Sequence, residues 1–111
     1  MSDRSAKLLI EDILASAKKI QRYTAELTFE QFTLDEKTAD AVARNFEIIG
    51  EAANRLPDAF KAQNSSIDWE RIRGFRNRIV HDYFGIDYSI VWNIIENYLP
   101  ELEIEFKNLK L

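Results

Sequence analysis

The segment that decides the fold is DEKTADAVARNFEIIGEAANRLP, residues 35–57, because its apolar residues recur at intervals of three and four. This spacing places them on one face of an α-helix. The predicted face consists of Ala39, Val42, Phe46, Ile49, Ala53 and Leu56. Asp35 is a suitable N-cap, and Pro57 requires that the helix end before it. The segment therefore predicts one long amphipathic helix that buries its apolar side.

A first helix, over about residues 4–27, is predicted by the same periodicity upstream. Ser2 or Asp3 is expected to cap it. Its predicted buried residues are Leu9, Ile13, Ala17, Ile20 and Leu27. Thr28 and Gln31 then have the spacing of a capping box, which predicts a short extra turn of helix before the long one.

Two more helices are predicted after the polar connection KAQNSS. The third runs over residues 69–84, with Asp68 as cap and Gly85 as the closing residue. The fourth starts near Asp87, and Pro100 should kink it by removing one backbone donor. Long helices joined by short loops predict an all-α fold, an antiparallel four-helix bundle with a short extra turn and a kinked C-terminal helix.

Length and composition predict a single domain over residues 1–111 and exclude several kinds of site. With no cysteine and one histidine, neither a disulfide framework nor a zinc site is expected, and no cofactor is implied. No apolar run suits a membrane span or a secretion signal, so we expect a cytoplasmic protein. A net charge of -4 predicts that any nucleic-acid contact is local, and no DNA partner is expected.

The candidate functional residues lie in RGFRNRIVHDYFGID, residues 73–87, which contains the only histidine, His81. Four arginines crowd this segment and its approach, namely Arg71, Arg73, Arg76 and Arg78. If the segment is helical, Arg73, Asn77 and His81 form a ridge, because residues four apart lie above one another. Two of the arginines, Arg71 and Arg78, would then point the other way, into solvent. Arg73 and Arg76 would flank the face that contains Asn77, His81 and Tyr83.

Arg76 is the most unusual residue of this predicted helix, because it projects into the middle of an apolar sector. That sector comprises Trp69, Ile72, Ile79, Val80 and Tyr83. A buried unpaired charge would cost several kcal/mol, so either a carboxylate such as Glu47 or Glu51 neutralises Arg76 or the sector is open to water. Taken singly, each residue has an ordinary structural explanation, since a lone histidine is usually a surface residue and an arginine run a solvated face.

The run R-N-x-x-x-H, formed by Arg76, Asn77 and His81, resembles the signature of HEPN domains, and the extension R-x4-H-x-Y to Tyr83 resembles the HepT toxins. The flanking segments ARNFEIIGEAANRLP and VWNIIENYLPEL resemble the same family. The resemblance implies a metal-independent endoribonuclease toxin that acts at a homodimer cleft. It also implies an MntA-like minimal nucleotidyltransferase antitoxin, in a dimer or higher assembly, which silences the toxin by adding AMP to Tyr83.

The chemistry of these residues suits RNA cleavage without a metal. His81 can carry protons near neutral pH, whereas Arg76 stays charged and can grip a phosphate. Arg73 and Asn77 are the predicted supporting phosphate contacts. On one helix Arg76 and His81 would be about 140° apart around the axis and about 7.5 Å apart along it. Their side chains would therefore not point readily to one common site. We therefore expect a two-fold dimer in which both chains contribute to each site.

Two other classes of function remain open at this point. One is a non-catalytic helical binding subunit of a nucleotidyltransferase, which would use Trp69, Trp92 and Phe106 for contacts and leave His81 unused. The other is an inert dimerisation module that binds neither RNA nor a transferase. Cleavage of RNA by the purified chain in excess chelator distinguishes the enzyme from both.

Overall fold

The computed structural model describes residues 4–81 and 85–109, with the backbone alone at positions 76, 80, 81, 85 and 86. The helices in this part of the chain are α1 (Ala6–Thr24), α2 (Phe29–Leu34), α3 (Glu36–Arg55), α4 (Asp58–Gln63), α5 (Trp69–Arg73), α6 (Phe75–Ile79), α7 (Tyr88–Asn93) and α8 (Leu99–Lys107). Two-residue strands β1 (Val80–His81) and β2 (Gly85–Ile86) pair antiparallel between α6 and α7. The all-α class predicted from the sequence is confirmed.

The two long helices begin at side-chain caps. Ser5, and not the predicted Ser2 or Asp3, caps α1, since its hydroxyl accepts a hydrogen bond from Leu8 N at 3.2 Å. Asp35 caps α3 as predicted, and hydrogen bonds from the backbone N–H and then the hydroxyl of Thr38 lower the pKa of its carboxyl. The predicted buried face of α3 is confirmed in full, whereas α1 ends before Leu27, which is half-buried.

Short helices flank α3 on both sides. The predicted capping box is present at the start of α2, where Thr28 and Gln31 exchange side chain to backbone hydrogen bonds of 2.9 and 3.1 Å. The predicted polar connection KAQNSS, residues 61–66, is helical in its first half, because residues 58–63 form α4. Proline is suited to the start of a helix because the first backbone donors have no partner there, so Pro57 begins a helix as well as ending one.

The third helical segment differs most from its prediction. Asp68 caps α5 as expected, but the helix is interrupted at Gly74 and α6 ends at Ile79, so a continuous helix over residues 69–84 is wrong. A hydrogen bond of 2.8 Å from Asp87 N to Ile79 O and the β1–β2 pairing replace the expected last turns. Gly85 therefore lies in a strand instead of closing a helix. Helical periodicity cannot detect such a hairpin, because two-residue strands are too short to show alternation.

The last segment begins at Asp87 as predicted, and it contains a π-helical turn, Ile94–Tyr98, between α7 and α8. In this turn Leu99 N–H donates to Ile94 O, one residue further back than in an α-helix. Pro100 consequently falls in the first turn of α8, where a missing N–H is tolerated. The predicted disturbance at Pro100 thus takes the form of a π-turn.

A single cluster of buried apolar side chains joins the segments. The helix α1 packs on α3, α3 packs on α5 and α6, α6 contacts α7, and α8 returns to α1. Phe75 is fully buried at the centre, with its ring 5.2 Å from that of Phe46 and 5.7 Å from that of Tyr98. Four helical segments therefore surround one core, and their antiparallel order stays a prediction. None of the helices in the described ranges has the length and apolar character needed to cross a membrane.

Candidate functional site

A groove of about 560 Å³ lies where α3 meets α5 and α6, and it is called the α3–α5 groove here. Its lining contains three carboxylates, two amides, one arginine and two glycines. These residues are Glu47, Glu51, Glu70, Asn54, Asn77, Arg73, Gly50 and Gly74. Two of the predicted site residues, Arg73 and Asn77, are therefore brought together with Glu47 and Glu51, the predicted counter-charges of Arg76.

The groove exists because two helices approach closely at Gly50. This residue is buried in α3, and a Cβ placed on it would lie 3.1 Å from Arg73 O and 3.5 Å from Ile72 O. A larger side chain would push the end of α5 away from α3. Glycine at this position thus lets the backbone of Arg73 approach α3 closely.

The electrostatics of the α3–α5 groove are dominated by acid. Arg73 Nη2 lies 2.8 Å from Glu70 Oε2, and both side chains are substantially exposed. Such a pair contributes about 0–1 kcal/mol to stability, so a phosphate can displace it at small cost. Glu47 and Glu51 have no ion pair closer than the 4.0 Å contact of Glu47 with Arg44 in the described part of the chain. The groove can therefore receive a further cation beside Arg73.

The predicted catalytic residues are described only in part. Arg76 lies in α6, one position before Asn77, and His81 lies in β1, paired with Gly85. Their side chains, and Tyr83 as a whole, lie outside the described residues. The predicted ridge of Arg73, Asn77 and His81 on one helix is wrong, because α6 ends two residues before His81. The angular separation expected for Arg76 and His81 on one helix does not apply for the same reason.

Arg71 was predicted to be solvated, and this is wrong. Its guanidinium carbon lies 3.7 Å from the centroid of the Tyr98 ring, and its Nε is buried without a hydrogen-bond partner in the described part of the protein. Burial raises the pKa of the Tyr98 phenol, and the Arg71 charge partly opposes this rise. An arginine stacked on an aromatic face gains about 0.5–2 kcal/mol from the ring quadrupole. The sequence holds Tyr98 in a separate helix, so the contact was not apparent from periodicity.

A second depression lies on the other side of the α5–α6 segment and is called the arginine cleft. It has a volume of about 350 Å³ and is lined by Arg71, Arg78, Ser89, Ile90, Asn93 and Ile94. The division predicted from the sequence, with Arg71 and Arg78 pointing away from Arg73 and Asn77, is confirmed by these two linings. The cleft itself was missed, since Ser89 and Asn93 carry no recognisable motif.

The aromatic residues assigned to a binding subunit are largely used by the core. Phe106 is 2% exposed, and its ring lies 5.6 Å from that of Trp69. Trp92 packs on Phe32 at 5.2 Å.

Residues 4–81 and 85–109 contain no group of three or more acidic, histidine or cysteine side chains arranged for a metal ion.

Comparison with known protein families gives a match over most of the chain. Residues 13–109 match the family described as "Ribonuclease HepT-like". The chain belongs to the HepT-like family, as the motif around Arg76 and His81 suggested.

Several similar proteins are ribonucleases by name. A probable ribonuclease HepT of Thermococcus cleftensis is 37% identical over 107 residues, which cover 96% of this chain and 97% of that protein. A putative RNase of Methanocaldococcus jannaschii is 37% identical over 90% of this chain and 83% of its own length. A putative RNase of Caldanaerobacter subterraneus is 36% identical over 90% and 89%. No solved structure matches the chain significantly. Family and relatives support a ribonuclease function.

Proposed function

We propose that this protein is a metal-independent endoribonuclease and the toxin of a toxin–antitoxin pair. Arg76 and His81 are its catalytic residues, and Arg73 and Asn77 are supporting contacts to the RNA phosphate. The observation that carries the proposal is that Arg73 and Asn77 line one groove while flanking Arg76 in the chain. The ribonuclease names of relatives that cover most of the chain support the same reaction.

The reaction needs one proton acceptor, one phosphate clamp and one proton donor. A base removes the proton of the ribose 2′-hydroxyl, whose oxygen attacks the adjacent phosphorus, and the bond to the 5′-oxygen breaks as that oxygen is protonated. The products are a 2′,3′-cyclic phosphate and a 5′-hydroxyl. His81 exchanges the protons, because an imidazole has both forms near neutral pH. Arg76 stabilises the charge that accumulates on the phosphate in the transition state.

The carboxylates that line the α3–α5 groove can pair with arginine side chains of the site while no RNA is bound. Glu70 is already paired with Arg73. Glu47 and Glu51 line the same groove and are suitable counter-charges for Arg76 in the free protein. A phosphate would exchange places with these carboxylates, so RNA binding should weaken as the salt concentration rises. We infer that the carboxylates keep the arginines oriented between cleavage events.

If acid and base act together, a second proton-transferring group must join His81, and since the sequence contains one histidine we infer that a second copy of the chain supplies it. In a two-fold dimer the same surface of each chain meets itself, so each cleft would contain Arg76 and His81 from both protomers. Sedimentation of the purified protein over a range of concentrations tests this assembly. We expect a dimer, and a monomer mass that does not change with concentration would contradict it.

Cleavage itself is tested with purified protein and single-stranded RNA in excess chelator. We expect cyclic-phosphate products from the parent and a loss of about 10²–10⁴-fold in rate for His81→Ala, the range typical of a general acid–base group. Arg22→Ala, at an exposed arginine of α1, is the matched control and should cleave at the parental rate. Parental activity in folded His81→Ala would refute the catalytic assignment.

Silencing by the antitoxin is tested at Tyr83. An MntA-like nucleotidyltransferase would transfer AMP from ATP to the phenol oxygen, which loses its proton, and release pyrophosphate, so that Tyr83 carries a bulky anion. We expect Tyr83→Phe to cleave RNA but to escape modification, as measured by the mass of the protein after incubation with enzyme and ATP. A mass increase of one AMP in Tyr83→Phe would show that another residue is the acceptor.

A further inference from the structure

Two of the four clustered arginines have no role in the proposed cleavage chemistry. Arg71 and Arg78 both line the arginine cleft, whereas Arg73 lines the α3–α5 groove. In a chain with 19 acidic and 15 basic residues, two guanidinium groups bordering one depression require an explanation. Like charges repel each other across a small cavity, so the cleft is suited to an anionic ligand.

Neither cation of the cleft forms an ion pair within 4.0 Å in the described ranges. Arg4, Arg44 and Arg73 each lie within 4.0 Å of a carboxylate oxygen, but no such contact is made by Arg71 or Arg78 across residues 4–81 and 85–109. Arg78 is exposed on α6. Its charge is therefore available to a ligand that enters from solvent.

Arg71 is held in place before any ligand binds. Its guanidinium stacks on Tyr98 at 3.7 Å, and its buried Nε donates no hydrogen bond in the described part of the chain. A stacked guanidinium keeps its N–H groups free at its edges, and little side-chain entropy remains to be lost on binding. The planar fork of an arginine matches the oxygens of a phosphate group.

The neutral part of the lining also suits a phosphate. Asn93 is exposed and offers an amide N–H, while Ser89 donates its hydroxyl hydrogen to Asp87 Oδ1 at 3.0 Å. The Asp87 carboxylate also accepts from Ile90 N at 3.2 Å, so it serves the N-terminus of α7. The hydroxyl hydrogen of Ser89 is therefore already used, and Asn93 remains as a neutral donor for a phosphate, a contact that asparagine and arginine commonly make.

We propose that the arginine cleft binds a backbone phosphate of the RNA substrate, as a second contact across the α5–α6 segment from the α3–α5 groove. The identity of the ligand rests on the proposed function. Asn77 and Arg78 are consecutive, so their Cα atoms lie about 3.8 Å apart while their side chains line different depressions. One strand that crosses α6 can therefore place phosphates on both sides of it. The cleft contributes affinity and positions the strand, and it takes no part in bond cleavage.

The test measures binding separately from cleavage. The probe is a single-stranded oligoribonucleotide that is 2′-O-methylated throughout, since it has the phosphates of RNA but no 2′-hydroxyl to react. Fluorescence anisotropy gives its Kd at several salt concentrations for the parent, Arg78→Ala, Arg71→Gln and Arg22→Ala. The last is a matched control because Arg22 is also an arginine over a tyrosine ring, 5.5 Å from Tyr23, on a helix that lines neither depression.

We expect Arg78→Ala to weaken binding about tenfold, the size of one lost charge-assisted hydrogen bond. Its salt dependence should fall by about one unit in the slope of log K against log salt. Arg22→Ala should retain the parental Kd. Because Arg78 is exposed, this substitution should leave the fold intact even if Arg71→Gln perturbs the packing around Tyr98.

The outcomes separate this inference from the proposed nuclease. If Arg78→Ala and folded Arg71→Gln bind as the control does while His81→Ala still abolishes cleavage, the cleft proposal is overturned and the nuclease stands; an acidic protein partner would then be the better explanation of the cleft. If binding depends on Arg78 but unmodified RNA is never cut, the cleft is supported and the nuclease fails. If the parent does not bind the probe at all, the cleft proposal is overturned.

Discussion

The α3–α5 groove and the arginine cleft are both bordered by the short α5–α6 segment, but their arginines have different partners. In the groove, Arg73 is paired with Glu70 at 2.8 Å and faces two further glutamates. In the cleft, Arg71 is fixed by an aromatic ring, and neither it nor Arg78 has a carboxylate within 4.0 Å in the described ranges. The sequence predicted that these arginines point to different faces, but it did not predict that one group is paired with a carboxylate and the other is held by an aromatic ring.

The difference indicates how a protein with a net charge of -4 can handle RNA. A cation that must exchange partners is best held by a nearby exposed carboxylate, which is easily displaced. A cation that serves only as an anchor can be held by stacking, which leaves its charge uncompensated. Under the proposed function, the acidic remainder of the surface would disfavour loose binding of RNA and would confine RNA affinity to the α5–α6 segment.

The largest expected effect comes from removing a buried aromatic ring of the core, Phe75. Phe75 is fully buried, and its ring contacts Phe46 of α3 and Tyr98, the ring on which Arg71 stacks. We expect Phe75→Ala to lower the free energy of unfolding by about 3–5 kcal/mol, because a large cavity remains. Urea unfolding measures this loss. Phe75→Leu should cost much less, and a loss below about 1 kcal/mol in the alanine variant would contradict the buried position.

Closing the α3–α5 groove from beneath tests one side alone. Valine at Gly50 would place methyl groups against the carbonyl oxygens of Ile72 and Arg73, where even a Cβ is at 3.5 and 3.1 Å. We expect Gly50→Val to destabilise the protein by about 1–3 kcal/mol through overpacking. Thermal unfolding measures the change. Ala15→Val, at an exposed position of α1, is the control for β-branching. Equal losses of stability in both variants would disprove the close approach of α3 to α5 at Gly50.

The sequence predicted the helix faces and the helix caps well, but it did not predict where the third helix is interrupted. The faces of α1 and α3 followed from periodicity, because buried residues on a long helix repeat every three or four positions. The Asp35, Asp68 and Asp87 caps followed from local chemistry. The interruption at Gly74 did not, since a glycine within a helical pattern is often tolerated.

Contacts between segments were the least predictable part of the candidate site. The grouping of Arg73 with Asn77 depends on neighbours within one segment and was anticipated. The stacking of Arg71 on Tyr98 depends on how the π-turn orients its ring, and no local pattern encodes that. A short apolar run near a glycine can also end in a strand, so the position of His81 in β1 was missed.

A smaller effect is expected when Arg73 loses its paired carboxylate. Glu70→Gln removes the charge that lies 2.8 Å from Arg73 Nη2. We expect RNA affinity to rise about twofold to fivefold, because one repulsive charge at a solvated site is worth about 1 kcal/mol or less. The same 2′-O-methylated probe measures this change. Glu11→Gln on exposed α1 controls for net charge, and an equal gain there would attribute the effect to the whole protein instead of the groove.

The smallest expected effect concerns the ring that supports the arginine cleft. Burial raises the pKa of Tyr98 above its ordinary value of 10.0, with Arg71 opposing the rise. The unfolded chain therefore loses this proton first, so stability is retained below about pH 10 and declines as pH rises from there towards the folded pKa. Tyr98→Phe keeps the ring for stacking but removes the proton, so its melting temperature should fall less between about pH 9 and 11 than that of the parent. Tyr23→Phe, at an exposed ring beside Arg22, is the control for loss of a phenol. An identical decline in parent and Tyr98→Phe would mean that the phenol is as well solvated when folded as when unfolded.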